Sequence, residues 1–330
     1  MLVGANVLGV LVVLAVLELG LALAIRFPPP SKLFRDTIDD WYTHWERNIV
    51  QYDPACARYD AELTYTLRPG RCRFANREFD VELAVSTLGV RDAEEAGVAP
   101  EIVVLGDSFS MGWGVPQDRA FPQVMARLSG RKVMNAGVSS YGTIRELALL
   151  RRIDTSALTH IVVQYSANDE PENHFAAQHD GQLEVMSEAE YDRISEDHRR
   201  RISYYFGKYV RRFLPLLATH VRGAQRPATT SPDEAGAAEM DSFLRALAAA
   251  RVDFSRVRVV VFELNGHARL DDEFTRRLRT RPHPSNLRTL DVSSLLSPDD
   301  YFFYDDHLNE RGHGKIARAL LPLLTGPHPR

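Results

Sequence analysis

Cysteine is scarce in this chain of 330 residues, with Cys56 and Cys72 the only two. Two thiols exclude a four-cysteine zinc site, and neither lies in a C-x-x-C pair that would indicate dithiol chemistry. One disulfide is the most they allow. An excess of positive charge is also missing, because 40 Lys and Arg against 44 Asp and Glu leave a net charge of −4. Such a balance offers no general field for a phosphate backbone, so nucleic acid is not an expected partner. Phosphate-loop patterns are absent: Gly106 to Gly114 fits neither G-x-G-x-x-G nor G-x-x-x-x-G-K-[ST]. The elbow G-x-S-x-G fails in the same stretch, since Ser110 stands at its last glycine position. There is no H-E-x-x-H, and neither a metal nor a cofactor is expected. A composition of 45% hydrophobic and 25% charged residues excludes disorder as the main theme and leaves room for a sizeable core.

The N-terminus departs from that average. Leu2 to Ile25 is apolar except for a few positions such as Asn6 and Glu18, and it closes on Arg26 and Pro28, Pro29 and Pro30. The run is long enough to span a bilayer. Ala22-Leu23-Ala24 offers a signal-peptide cleavage pattern, yet the run exceeds an ordinary signal core and no Lys or Arg precedes it. An uncleaved anchor over residues 1–27 is therefore favoured over a cleaved signal. Arg26, Lys32 and Arg35 taken alone would hold the globular part in the cytoplasm. Against them, Cys56 and Cys72 close a short loop that makes sense as a disulfide only in an oxidising compartment. We therefore expect a membrane-anchored protein whose main part lies outside the cytoplasm, with two unrelated reduced cysteines as the rival reading.

Residues 31–98 contain alternating stretches, Leu63 to Leu67 and Phe79 to Leu83, which predict a small strand-rich region. From Pro100 the texture changes. Short β-branched runs at Ile102 to Leu105, Lys132 to Met134, Ile161 to Val163 and Val257 to Phe262 predict buried strands. Between and after them, Phe121 to Leu128, Ile144 to Ile153, Met240 to Ala250 and Ile316 to Leu324 carry helical spacing. Strands alternating with helices predict a parallel α/β sheet covered on both faces, over residues 99–330. About residues 170–234 read as an insertion, too long for an ordinary crossover. Within it Arg199 to Arg201, Lys208, Arg211 and Arg212 bracket Tyr204, Tyr205, Phe206 and Tyr209, a set able to touch anionic head groups, though a solvated helix is the plainer reading. Gly223 to Ala238 reads as a loop.

In an open α/β sheet, ligands meet the carboxyl ends of the strands. Gly106-Asp107-Ser108-Phe109 follows the first core run, Asn135-Ala136-Gly137 the second and Ser166-Ala167-Asn168-Asp169 the third, while Asp305-Asp306-His307 precedes the last helix. Together they provide a serine at a tight turn, an imidazole to take its proton, a carboxylate to orient that ring, and donors for an oxyanion. Each element alone has an ordinary reading as a turn, cap or helix start; their joint occurrence points to acyl transfer. His307 with Asp305, Asp306 and His313 has ligand-type residues, but no third cluster completes a zinc site.

These blocks resemble those of the SGNH, or GDSL, hydrolases over about residues 100–320. Ser86 to Asp92 and Gly112 to Val115 are similar to bacterial members with an N-terminal anchor. The resemblance implies a flavodoxin-like three-layer sandwich, with Ser108 as nucleophile and His307 as base. It also implies that the Ser108 and Gly137 amides and the Asn168 side chain hold the oxyanion. Two positions depart from the family pattern: Ser166 replaces the glycine of Gly-x-Asn-Asp, and Asp-x-x-His spacing would fall on Tyr304. Asp305 is taken as the acid, by likeness to the Asp-x-His variant of polysaccharide O-acetyl enzymes, with Asp306 in reserve. Asp107 and His313 are expected to support the site rather than react. The implied activity is hydrolysis of an ester on a small acylated molecule, a glycan or a lipid, without a cofactor. An O-acyltransferase using the same groups and a noncatalytic glycan- or lipid-binding module are the alternatives.

Overall fold

The computed structural model describes residues 2–221, 232–250, 252–266 and 272–325. The chain divides into two compact units, one of residues 49–196 and 231–330, the other of residues 1–48 and 197–230. In chain order the helices are α1 (Leu2–Arg26), α2 (Lys32–Trp41), α3 (Ser108–Met111), α4 (Phe121–Ser129), α5 (Thr143–Leu150) and α6 (Asp169–Gln178). They continue as α7 (Glu188–Ile202), α8 (Leu214–Val221), α9 (Pro232–Ala249), α10 (Glu273–Thr280) and α11 (Glu310–Thr325).

The larger unit opens with two antiparallel hairpins, β1 (Ala57–Asp60) with β2 (Thr64–Leu67) and β3 (Gly70–Ala75) with β4 (Asp80–Val85). Five parallel strands come next: β5 (Ile102–Leu105), β6 (Val133–Asn135), β7 (His160–Tyr165), β8 (Arg258–Glu263) and β9 (Leu287–Leu290). Their spatial order is β6-β5-β7-β8-β9. The chain thus leaves β5 toward β6 and returns past it to β7, which is the flavodoxin-like order with its switch point between β5 and β7.

Alternation along the strands sorts side chains to two cores. Val103, Leu105, Ile161, Val163, Val259 and Val261 pack with residues of α5, α9 and α10, such as Leu147, Phe243 and Phe274. Ile102, Val104, Val162, Val260 and Phe262 turn the other way, to Phe121 and Met125 of α4 and Ile316 and Leu320 of α11. Burying each such side chain contributes roughly 1.5–3 kcal/mol relative to exposure. The expected three-layer α/β sandwich is present, built from these residues. A third cluster joins Cys56 and Cys72 to Phe74, Phe79, Met111 and Trp113, and the two cysteines form a disulfide.

The fold differs from the sequence expectation at four places. Residues 32–46 are helical rather than strand-rich, because Ser31 caps α2 by accepting from the Phe34 amide, and Ile38 and Trp41 lie on one buried face. β9 was not expected: Arg288 and Thr289 give it no apolar run, and as an edge strand it buries only Leu287 fully. The segment between β7 and β8 is not wholly an insertion, since α6 and α9 pack in the larger unit and only residues 197–230 leave it. Residues 232–238 begin α9 instead of continuing a loop. The rest of that expected loop, residues 223–231, lies outside the described residues.

Glu146 of α5 is fully buried, and neither carboxyl oxygen has a hydrogen-bond partner among the described residues. Burial, with Asp169 and Asp107 near it, raises its carboxyl well above the usual range. A carboxyl whose pKa is raised by folding holds its proton longer in the native state. Stability therefore falls as pH rises through the window above the unfolded value of about 4.3, at up to about 1.4 kcal/mol per pH unit. Glu146→Gln is expected to flatten that fall. Thermal melts at about pH 5 and about pH 8 check it, and a variant whose melting points move with pH as the wild type's do would assign the titration elsewhere.

Candidate active site

The turn that carries Ser108 is made by residues that contribute nothing apolar. Gly106 leaves β5 at φ +152°, and a Cβ there would run into Ser110 and Gln164. Asp107 then caps α3, its Oδ1 accepting from the Phe109 amide at 2.9 Å. Gln164 of β7 supports the turn from the neighbouring strand: its Oε1 accepts from the Asp107 amide at 3.1 Å, the Ser110 amide at 3.3 Å and the Ser110 hydroxyl at 3.2 Å. Ser108 thereby stands at the first position of α3, 8% exposed.

His307 comes from the loop before α11. Its Nε2 lies 2.7 Å from Ser108 Oγ and its Nδ1 2.5 Å from Asp305 Oδ1. The ring is stacked on Trp113 with centroids 4.6 Å apart, and Phe109 lies 4.8 Å away, tilted against it. Asp305 has no exposed surface, and its Oδ2 accepts from the Trp113 indole at 3.0 Å. Asp306 is the more distant carboxylate, 3.4 Å from His307 Nδ1 with its side chain half exposed. The backbone of this loop is held from the β3–β4 turn: Glu78 accepts from the amides of Phe303 at 2.6 Å, Tyr304 at 2.7 Å and Asp305 at 2.8 Å.

Gly137 and Asn168, the residues expected at an oxyanion, differ in how open they are. Gly137 approaches α3 so closely that a Cβ would collide with Ser110 and the Met111 amide. Its own N–H, however, donates to Asn135 Oδ1 at 3.0 Å, so this amide is engaged rather than open to a substrate. The physical reason is local: the Asn135 side chain folds over its own chain two residues on, as Asn does in turns. Asn168 is exposed at the start of α6, its Oδ1 bonded by the Ser166 hydroxyl. That hydroxyl also lies 2.8 Å from Asp107 Oδ2. Asp107 is buried, and burial raises its carboxyl while the Phe109 amide and Ser166 draw it back.

Several supports escape sequence reading. Arg91, with no exposed surface, donates to the carbonyls of Met111, Gly112 and Val115 and so shapes the loop carrying Trp113. Burial lowers its guanidinium to about 10. Only the block Ser86 to Asp92 signalled it; Gln164 and Glu78 had no signal at all. His313 accepts from the Phe121 amide at 3.2 Å, and burial depresses it to about 3, so it is neutral and anchors α4. Asp305, Asp306 and His307 are the one convergence of metal-ligand atoms among the described residues. There the ring is already held by Asp305 at Nδ1 and Ser108 at Nε2.

No protein-family model matches the sequence, and no curated protein does. Among solved structures the chain is similar to a protein of Desulfitobacterium hafniense described as lipolytic and of the G-D-S-L family. Identity is 10% and the TM-score 0.39, over 67% of this chain and 98% of that one. It is also similar to a lipase from a goat rumen metagenome, at 14% identity and a TM-score of 0.37, over 66% and 94%. A family two carbohydrate esterase from Cellvibrio japonicus is similar at 15% identity and a TM-score of 0.29, over 69% and 61%.

Proposed function

We propose that the chain is a serine esterase of the SGNH or GDSL type, and the observation that carries this reading is the unbroken line from Ser108 Oγ through His307 to Asp305. Asp305 accepts a hydrogen bond from the His307 Nδ1–H, leaving the Nε2 lone pair directed at the serine hydroxyl. As Ser108 attacks an ester carbonyl, His307 takes its proton and returns it to the leaving alcohol. Water activated by the same imidazole then releases the acid from the acyl-enzyme.

The oxyanion is received by the Ser108 amide, which as the first of α3 has no acceptor within its helix, and by Asn168. The Asn168 side chain is exposed, so its carboxamide can present an N–H to a substrate. Gly137 joins them only if its amide turns away from Asn135. Asn168→Ala is accordingly expected to lower kcat by roughly 10²–10³-fold with little change in KM. Steady-state hydrolysis of p-nitrophenyl acetate reads this, and full activity would remove Asn168 from the oxyanion.

Helix α1 is long and apolar enough to cross a membrane, and we read it as the anchor. The Cys56–Cys72 disulfide supports a catalytic unit outside the cytoplasm. The substrate class is an acyl ester on a small molecule, glycan or lipid. Product analysis with and without a sugar acceptor tests hydrolysis against transfer: an acceptor ester formed faster than free acid would make the protein an O-acyltransferase.

A further inference from the structure

The smaller unit contains a second feature that the esterase reading leaves unused. Glu18 interrupts the apolar helix α1, yet it is only 4% exposed. Its two carboxylate oxygens accept from the amides of Tyr209 at 3.1 Å and Val210 at 3.0 Å, where the chain makes a single π-helical turn over Tyr209–Phe213. The Tyr204 hydroxyl reaches the same carboxylate. A charge in the middle of a spanning helix is costly unless it is paired, and here the pairing partners belong to the arginine- and tyrosine-rich segment near residues 199–212.

The exposure of α1 changes along its length in step with this contact. Residues 6–13 are open all round, as lipid-facing positions are, whereas from Leu14 onward one face turns inward through Glu18 and Ile25. Glu18 stands eight residues before Arg26, or about 12 Å along the axis. A segment that bonds to a spanning helix this far inside its terminal arginine stands in the head groups or below them. Its outer surface suits that place: Tyr204, Tyr205, Phe206 and Leu214 are all exposed, and Arg211 is exposed beside them. Aromatic rings with an apolar body and a polar end favour the membrane boundary, and a long arginine reaches back from it to phosphate. Lys208, by contrast, is spent internally on the carbonyls of Trp45, Ile202 and Ser203.

We infer that residues 204–214, clasped to α1 by Glu18, form a second membrane contact that inserts its aromatic tip into the head-group boundary of a lipid bilayer. The inference rests on reading α1 as a membrane span, and the experiment separates the two. Full-length protein in vesicles of phosphatidylcholine and phosphatidylglycerol carries a nitroxide at Phe206→Cys, Val12→Cys or, as a water-facing reference, Val98→Cys; the native cysteines are paired. Position 12 is expected to collide with oxygen several-fold more than with a polar nickel reagent. Position 206 should show the same preference at shallower depth, and position 98 the reverse. If position 12 lies in lipid while 206 matches 98, the second contact is wrong and the span stands. If position 12 itself is water-accessible, the span reading falls and takes this inference with it. A label at Tyr205→Cys repeats the measurement should the Phe206 variant fold poorly.

Discussion

Replacing Ser108 with alanine is expected to lower kcat/KM for p-nitrophenyl acetate by roughly 10⁴-fold or more. In the proposed mechanism the serine oxygen bonds the acyl carbon, and its hydroxyl sits 2.7 Å from the imidazole nitrogen that would take its proton. Alanine leaves the oxyanion donors and the imidazole in place, so a small rate above water should survive. The loss belongs to chemistry rather than folding: the side-chain partner of the hydroxyl is His307, and its removal leaves the Gln164 bonds to Asp107 and Ser110 intact. His307→Ala should lose activity to a similar extent, and the double variant should be hardly worse than either, because the two act as a unit. A Ser108→Ala protein with wild-type turnover would place the reaction elsewhere in the molecule.

The second large effect separates two adjacent carboxylates. Asp305→Asn is expected to cost about 10⁴-fold in kcat, and Asp306→Asn no more than a few-fold. Asp305 is buried and both its oxygens receive donors, His307 on one side and the Trp113 indole on the other. An amide in its place must turn its NH₂ toward one of them. Facing His307, it reverses the ring's tautomer and puts the proton on the nitrogen that should accept from Ser108. Facing Trp113, it leaves two donors opposed in a buried site. Asp306, half exposed and 3.4 Å from the same nitrogen, is solvated and its loss is screened. Parallel kinetics on the two variants check the assignment, and the opposite ranking would make Asp306 the acid.

The sequence was most legible where a residue's role is decided by its immediate neighbours. The strands β5, β7 and β8 are β-branched runs buried on both faces, and the groups at their carboxyl ends were readable because the topology of an α/β sheet brings such ends together. Ser108, His307 and Asp305 lie together in the fold although 199 residues separate the first two. What escaped was of two kinds. β9 borrows its regularity from β8 rather than from its own residues, and α2 reads as polar until its buried face is known. The supports Gln164, Glu78 and Arg91 act through contacts spanning 54, 227 and 24 residues, respectively, in their hydrogen bonds to Ser110, Asp305 and Val115. Gln164 and Glu78 have no local pattern. The direction of the Gly137 amide was not legible for another reason: the glycine is required by its close approach to α3, which says nothing about where its N–H points.

The loop bearing Asp305 is suspended from Glu78, a single side chain on a hairpin outside the sheet, through three successive backbone amides. Because those amides belong to whatever residues occupy 303–305, the clasp is indifferent to the side chains there. Substitutions other than proline at Phe303 and Tyr304 leave those amides in place, so the contact between Asp305 and His307 does not depend on either side chain.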